Sequence, residues 1–439
     1  MKRLSGRLGV RRLIAVAGAG ALLSAGLGVA GASAADRTAG PAGGTPAGGT
    51  PATRVSVQPC ALKYASGSLY IGSGNAVYKV SQQTGTATRI APKYAFGQTF
   101  NQACGVAVDG AGNVLVADGA DVVVVAAKTG TFYREKMIKG NVYPIAGGFQ
   151  GITGAVDVQL DPSGNLVIAV GGEAASHTNN EQDSQVFVLA ERSGTFYGKR
   201  MVKGKLSVIA GVLNGGPSGS PCDAADTAAA PLAARPDTAR PDTATKAAQA
   251  NLGFTIGTLR FDAAGNIILA ESGGDDGSPC GADAYDVAPR VAVIPARTGT
   301  YYGQKMSVGY IYAIAGLGTK TASGVPAADS HLAAVSAVAL DHAGNILVAT
   351  ASSAVGGGPV EVIAARTGTF YDKKMIRGDI YALPGLNGAS AVAVDSAGNV
   401  LAGNINHSLV QLLAEKTGDY YGVKARAGHV YPIAGNGKP

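Results

Sequence analysis

The chain has 439 residues, with 65 Gly, no Trp and only 15% charged residues. Its formal charge of +7 lies mostly in residues 1–34, which contain five Lys and Arg and no acid, so the chain after residue 34 carries +2. That small charge gives no support to nucleic-acid binding, and no apolar run after residue 34 approaches the roughly 20 residues of a membrane-spanning helix.

The first residues predict an export signal. The basic stretch MKRLSGRLGVRR precedes the apolar stretch LIAVAGAGALLSAGLGVAG, and the sequence A-S-A ending at Ala34 fits a cleavage site. We therefore expect a signal peptide over residues 1–34, a secreted or extracytoplasmic protein, and no membrane contact after cleavage. An Arg pair before the apolar stretch leaves the general secretory and the twin-arginine routes both open. Residues 35–53, rich in Gly, Pro, Ala and Thr, predict a flexible linker.

Two phrases then alternate along the chain. The first is apolar-D-x-x-G-N-apolar, and its acids are Asp109, Asp161, Asp262, Asp341 and Asp395. Because the Asp side chain can accept N–H groups within a turn where Gly supplies a positive φ, this phrase predicts a hairpin of two strands, a and b. The second phrase has 21 residues, as in ARTGTFYDKKMIRGDIYALPG, and occurs at 127–147, 191–211, 296–316, 365–385 and 415–435. It predicts the end of a third strand, c, a turn, and a fourth strand, d.

Four antiparallel strands repeated along a chain are typical of a β-propeller. A further unit without D-x-x-G-N fits residues 60–91, so we predict an all-β fold, a six-bladed β-propeller of four-stranded antiparallel blades within residues 54–439. The expected blades span 60–95, 104–148, 154–212, 253–317, 334–386 and 389–436, with a loop insert at 213–252. Since Pro439 directly follows the last strand, residues 54–59 are the candidate for a strand that closes the ring.

The repeats resemble those of the NHL-repeat β-propeller family, whose units run apolar-D-x-x-G-N-apolar and close with a V/I-A-G strand. The resemblance covers roughly residues 60–436 and implies the propeller fold. It implies no single activity, because the family includes enzymes, RNA binders and protein-interaction scaffolds. The family's usual Asn and Arg after strand b are mostly absent here, so binding roles tied to those positions do not carry over. Streptogramin lyase and the peptide-amidating lyase are enzymes with similar repeats.

Strand order predicts two unlike ends of the ring. The a–b and c–d turns share one end, here called the hairpin face, and the b–c and d–a connections share the other, the loop face. All four cysteines are expected on the loop face. Cys60 and Cys104 precede strand a in adjacent blades, while Cys222 lies in the d–a insert and Cys280 in the b–c loop of one blade. An exported chain with an even number of cysteines is expected to form disulfides, and the predicted pairs are Cys60–Cys104 and Cys222–Cys280.

Histidines and acids also fall on the loop face. The candidate ligand-binding residues are Glu173, His177, Glu271, Asp275, Asp329, His331 and His407. Convergence of such groups over a central channel would suit a metal-assisted lyase or hydrolase that uses a divalent metal. No pair has local metal-ligand spacing, however, so the leading interpretation is a monomeric, non-catalytic binding or scaffold protein without a cofactor. Its ligand would be a protein, a peptide or a small molecule.

The 21-residue phrase is basic in every copy. Its cations are Arg134, Lys136, Lys139, Lys199, Arg200, Lys203, Lys305, Lys373, Lys374, Arg377, Lys424 and Arg426. They predict turns that keep the rim soluble, with a ring that binds anionic cell-wall polymers as the alternative. The Met that four copies share is interpreted as a packing residue.

Overall fold

A computed structural model describes residues 49–90, 100–150, 152, 154–171, 184–211, 245–250, 252, 255–273, 288–321, 323–351 and 358–438. Among these residues, six antiparallel sheets of four or five strands are the blades, and the predicted fold class, a six-bladed β-propeller, is confirmed. No helix in the described ranges is both long and apolar enough to cross a membrane.

Each blade has strands a to d in that order from the inside to the outside of the sheet. In blade 1 they are Ala61–Ala65, Ser68–Ser73, Ala76–Ser81 and Thr86–Ile90. In blade 2 they are Ala103–Val108, Val114–Asp118, Asp121–Val125 and Val142–Gly147. In blade 3 they are Ala155–Leu160, Leu166–Val170, Gln185–Leu189 and Leu206–Ala210. In blade 4 they are Ile256–Phe261, Ile267–Glu271, Arg290–Ile294 and Tyr310–Ala315. In blade 5 they are Ala334–Leu340, Ile346–Ala351, Pro359–Ile363 and Asp379–Asn387. In blade 6 they are Ala391–Val394, Val400–Asn404, Leu409–Leu413 and Val430–Ala434.

Blades 2 to 6 each insert a short hairpin between strands c and d. The five pairs of hairpin strands are Gly130–Phe132 with Glu135–Met137, Gly194–Phe196 with Lys199–Met201, Gly299–Tyr301 with Gln304–Met306, Gly368–Phe370 with Lys373–Met375, and Gly418–Tyr420 with Val423–Ala425. The 21-residue phrase therefore contains a two-stranded hairpin in addition to linking strand c to strand d. Short 3₁₀ helices occur at Ala52–Arg54, Gly148–Gln150, Ala247–Gln249 and Ala327–Asp329.

The inner strands close a ring around a central channel. Strand a of each blade contacts strand a of the next, in the order 1 to 6, and strand a of blade 6 contacts strand a of blade 1. The buried apolar side chains form one cluster at each interface between neighbouring blades. Strands b and c are apolar on both faces because each blade is covered on both sides. Burial between blades, not within one sheet, therefore supplies the core.

The predicted packing role of the shared Met is confirmed. Met137, Met201, Met306 and Met375 are each no more than 2% exposed, and each lies in the cluster between its own blade and the next. Blade 6 has the smaller Ala425 at this position, also buried.

Both repeated phrases belong to one hydrogen-bonded unit. In blade 5, Asp341 Oδ1 accepts the backbone N–H groups of Ala343 and Asn345, and Asp341 Oδ2 accepts Asn345 Nδ2 at 2.7 Å and the hydroxyl of Tyr371 at 2.9 Å. Asn345 Oδ1 in turn accepts the N–H of Ala365, at the start of the second phrase. The same bonds recur in blades 2, 3 and 4. The unit places the hairpins beside the a–b turns, at the hairpin face.

The backbone at these positions is unusual. The Gly of each D-x-x-G-N turn has φ between +82° and +89°, a conformation that other residues adopt at a cost. The hairpin Tyr has φ between +50° and +52° in all five copies. In blades 2 to 5 the Tyr hydroxyl donates to the turn Asp, and this bond helps to offset the strain of the left-handed backbone. Burial, and then the neighbouring carboxylate, raises the pKa of these tyrosines.

The ring is closed by residues that the sequence analysis assigned to the linker. Thr50–Pro51 pairs with strand d of blade 1, and Ala52 is 1% exposed. The N–H of Ala52 donates to Gly85 O of blade 1 at 2.9 Å, and Ala52 O accepts the N–H of Gly435 of blade 6 at 3.0 Å. The closing contacts therefore lie just before the candidate segment 54–59 and involve residues of the predicted linker.

The same bridge occurs at two other blade interfaces. Ala247 accepts Gly211 N–H of blade 3 at 3.0 Å and donates to Gly309 O of blade 4 at 2.9 Å. Ala327 makes the equivalent bonds with Gly316 and Gly378, between blades 4 and 5. The contact that closes the ring between blades 6 and 1 is therefore the same kind of connection as those between blades 3 and 4 and between blades 4 and 5.

Candidate functional site

A cluster of polar side chains fills the channel near its middle. Its members are Lys63 of blade 1, Asp157 and Gln159 of blade 3, and Arg260 of blade 4, all on inner strands. Blades 2, 5 and 6 have Ala or Gly at the matching positions two and four residues before the turn Asp. The cluster is therefore a departure from the repeat, and we call it the channel cluster.

Asp157 is the centre of the channel cluster and is 1% exposed. Its Oδ2 accepts Arg260 Nη1 at 2.9 Å and the backbone N–H of Leu259 at 2.9 Å. Its Oδ1 accepts the N–H of Val158 at 2.9 Å and Gln159 Nε2 at 3.0 Å. Four donors satisfy both oxygens of this buried carboxylate, which offsets the cost of removing it from water.

The remaining members connect opposite sides of the ring. Lys63 Nζ donates to Gln159 Oε1 at 2.8 Å, and Gln159 Nε2 also donates to Val106 O of blade 2 at 3.2 Å. Arg260 Nη2 donates to Leu62 O at 3.3 Å, although blades 4 and 1 face each other across a ring of six. The side chains therefore cross the channel and satisfy carbonyl groups at the free edges of inner strands. Hydrogen-bonded side chains therefore link inner strands of blades 1, 2, 3 and 4.

The surroundings within the channel cluster change the pKa values of two of its members, Asp157 and Lys63. Burial raises the pKa of Asp157, against the opposing effect of the Arg260 guanidinium and the Leu259 N–H. Burial, and then the charge of Arg260, lowers the pKa of Lys63 to about 8, while Asp157 acts in the other direction. An amine with such a pKa is a possible base or nucleophile in general. Here its Nζ donates to Gln159 inside a satisfied network, so the arrangement serves to hold the inner strands together.

A second departure from the repeat lies at the hairpin face. Blade 1 lacks the inserted hairpin, and a polar cleft of about 520 Å³ opens between its turns and the hairpin of blade 6. The cleft is lined by Ser66, Gly67, Ser81, Gln82, Gln83, Asp419 and Tyr420. Gln82 spans this junction, since its Nε2 donates to Asp395 Oδ2 of blade 6 at 2.9 Å.

The described residues of the predicted loop-face site each have a partner close by. Glu271 is buried and accepts Arg290 Nε at 2.6 Å. Asp329 pairs with Lys320 at 2.8 Å, in the exposed segment beside the outer edge of blade 5. His407 is exposed, and its Nδ1 lies 3.1 Å from Asn404 Oδ1 within the b–c turn of blade 6.

His331 is also exposed, and its backbone N–H donates to Lys320 O at 2.9 Å. The bonds of these four residues join them to other groups and not to one another. Within the described part of the chain, no group of three or more His, Cys, Asp and Glu side chains is placed to hold a metal ion. Glu173, His177 and Asp275 lie outside the described residues.

One predicted disulfide is confirmed. Cys60 and Cys104 are bonded, with their Cα atoms 5.1 Å apart, and join the loop-face ends of strand a in blades 1 and 2. Cys222 and Cys280 lie outside the described residues.

The channel cluster was missed by the sequence analysis. Its contacts link residues 96 and 103 positions apart, and no local motif marks them. The available signal was the aligned repeat itself, in which Gln159 and Arg260 replace the Ala of other blades two residues before the turn Asp.

Comparisons with known proteins find only distant structural similarity. No family model and no curated protein matches the chain. Among solved structures, a gluconolactonase of Xanthomonas campestris is 13% identical, with a TM-score of 0.41 over 80% of this chain and 83% of that one. PorZ of Porphyromonas gingivalis, a surface component of the type IX secretion system, is 14% identical, with a TM-score of 0.42 over 85% of this chain and 41% of PorZ.

Proposed function

We propose that the protein is exported, is a propeller of the NHL type, and acts as a non-catalytic binding or scaffold protein through its loop face. The observation that carries the non-catalytic part of this proposal is the bonding of the channel cluster. Lys63, Asp157, Gln159 and Arg260 use their polar atoms to hold the inner strands, so they support the ring instead of facing a substrate. Ligands then meet the ends of the blades, and connections that differ between blades are the usual place for binding on a repeated scaffold.

Described side chains at and beside the loop face are available for contact. His331 and His407 are exposed, and the Lys320–Asp329 pair is about half exposed on both sides. An exposed ion pair contributes little to stability, so its groups can exchange partners at small cost. The ligand class that suits these groups is polar: a protein, a peptide or a small molecule with hydrogen-bonding groups.

Binding would be tested on the exported chain by interferometry against panels of peptides and small molecules. The test variant is His331→Ala with His407→Ala, and the matched control is His429→Ala, an exposed histidine at the hairpin face. We expect binding to be lost in the double variant and kept in the control. Equal binding by all three proteins would contradict a loop-face site.

The competing function is a metal-assisted lyase or hydrolase whose site includes Glu173, His177 and Asp275. A thermal-shift series with divalent metals distinguishes it. Stabilisation by a metal that His177→Ala and His331→Ala abolish would support the enzyme and contradict the non-catalytic proposal. Mass spectrometry of the protein from culture medium tests export, with an N-terminus at Ala35 as the expected result.

A further inference from the structure

Large apolar side chains are exposed at one repeated position of the hairpin face. Ile138, Val202 and Ile376 are 60%, 58% and 60% exposed, and they are three of the four large apolar residues exposed among the described residues. Each directly follows the buried Met of its hairpin, in blades 2, 3 and 5. Single exposed aliphatic side chains are common on protein surfaces, but their recurrence at one structural position indicates a contact surface.

Positive charge surrounds these side chains. Lys136 and Lys139 flank Ile138, Arg200 and Lys203 flank Val202, and Lys374 and Arg377 flank Ile376, and all six cations are exposed. Across the phrases from the end of strand c to the start of strand d in blades 2 to 6, seventeen exposed Lys and Arg stand against three exposed acids. The chain after residue 34 carries only +2, so the cations are concentrated at this end of the ring. The described ion pairs include none of them.

Several hairpins contact the neighbouring blade. The guanidinium of Arg134, at the tip of the blade 2 hairpin, packs against Gly204 of blade 3 so closely that a Cβ there would overlap it. Asp372 of blade 5 lies against Gly428 of blade 6, and the N–H of Tyr421 of blade 6 donates to Gln82 O of blade 1 at 2.6 Å. The cations and the aliphatic side chains therefore lie at the same end of the ring, on hairpins that these contacts hold in place.

We propose that this hairpin face docks on an anionic lipid bilayer. Ile138, Val202 and Ile376 enter the interface between headgroups and acyl chains, and the flanking Lys and Arg contact lipid phosphates. Apolar insertion combined with basic residues is the pattern of interfacial membrane binding, and each cation near an anionic surface adds to the attraction. A soluble polyanion would use the cations and leave the aliphatic side chains in water, so the observations favour the lipid surface.

This membrane contact differs from a spanning segment, which is why the sequence analysis did not expect it. Ile138 and Val202 lie 64 positions apart, and a search for apolar runs does not register side chains that appear once per blade. The inference does not depend on the loop-face proposal, because the two surfaces lie at opposite ends of the ring.

The experiment is vesicle co-sedimentation of the exported chain. Phosphatidylcholine vesicles with about one-third phosphatidylglycerol are compared with pure phosphatidylcholine vesicles. The apolar variant carries Ile138→Ser, Val202→Ser and Ile376→Ser, and the basic variant carries Lys139→Gln, Lys203→Gln and Arg377→Gln. The matched control, Arg54→Gln with Arg89→Gln and Lys438→Gln, loses the same charge from exposed positions outside the hairpins. Circular dichroism shows that each variant is folded.

We expect the wild type to bind the anionic vesicles alone, and to bind more weakly as salt rises. Both test variants should bind at least about tenfold more weakly, and the control should bind like the wild type. Failure of the wild type to bind, or equal binding by the control and the basic variant, would overturn the proposal. A folded apolar variant that binds vesicles like the wild type, together with competition by soluble polyphosphate, would show a general polyanion site and would also overturn it.

Discussion

The hairpin face and the channel are built in opposite ways from the same repeats. At the hairpin face, four blades make the same Asp–Asn–Tyr unit with nearly the same distances, so one blade predicts the next. In the channel, blades 1, 3 and 4 supply charged and polar side chains, while blades 2, 5 and 6 supply Ala or Gly. The repeated residues therefore build the scaffold, and residues that break the repeat give the ring its individual chemistry.

Substitution of a channel-cluster residue should lower the free energy of unfolding more than any other change considered. Arg260→Ala leaves Asp157 buried without its cation, which should lower the free energy of unfolding by about 3–5 kcal/mol. Urea unfolding followed by circular dichroism measures the loss. The double variant Asp157→Asn with Arg260→Met removes both charges and should recover most of it. A single variant as stable as the wild type would show that the channel cluster does not hold the ring together.

Removal of the Cys60–Cys104 disulfide tests how much this crosslink contributes to the stability of the protein. Cys60→Ser with Cys104→Ser opens a loop of 44 residues and should lower the free energy of unfolding by about 2–4 kcal/mol. Urea unfolding is again the measurement. Mild reduction of the wild type is a second check, and it should reproduce the loss if this disulfide opens first. An unchanged midpoint in the double variant would mean that the blade 1 to blade 2 interface is sufficient alone.

A third break in the repeat lies on strand c of blade 5. Glu361 occupies the strand position that holds Val123 in blade 2, Phe187 in blade 3 and Ala292 in blade 4. Burial raises its pKa to about 7. The folded chain therefore favours the protonated form, and the stability present below the unfolded pKa of about 4.5 is lost as pH rises through about 7.

Glu361→Gln should remove this loss of stability. We expect the variant to gain about 2 kcal/mol over the wild type between pH 5 and pH 8, a figure reduced for partial exposure of the side chain. Thermal unfolding at a series of pH values measures the difference. Glu135→Gln, an exposed carboxyl in the blade 2 hairpin, is the control and should leave the pH dependence unchanged. Parallel curves for wild type and Glu361→Gln would contradict the raised pKa.

Substitutions at the hairpin face should lower the free energy of unfolding least, and by the same amount in each blade. Tyr302→Phe removes the hydroxyl that donates to Asp262 Oδ2 at 2.9 Å and should cost about 1 kcal/mol of unfolding free energy. The same substitution at Tyr133 or Tyr371 should cost the same within about 0.5 kcal/mol, since each donates to its own turn Asp. Costs that differ by more than this between blades would contradict the equivalence of the hairpin units.

Much of the architecture followed from particular residues in the sequence. The five Asp turns and their flanking apolar strands predicted the blades, and the positions of Cys60 and Cys104 before neighbouring inner strands predicted their bond. The closing segment was placed a few residues too late, because Thr50 and Pro51 resemble the rest of a Gly- and Pro-rich stretch. Only their pairing with strand d of blade 1 shows that they are folded.

The repeats, together with the strand pattern of residues 60–91, were enough to predict the number of blades, the order of strands and the ends at which turns and loops lie. These are local properties, because turn chemistry and alternation act over a few residues. The folded ring was needed to show that Lys63, Gln159, Asp157 and Arg260 meet in the channel, and that Ala52 joins the last blade to the first. Those contacts depend on the curvature of the whole ring, which brings residues together that are about a hundred or more positions apart.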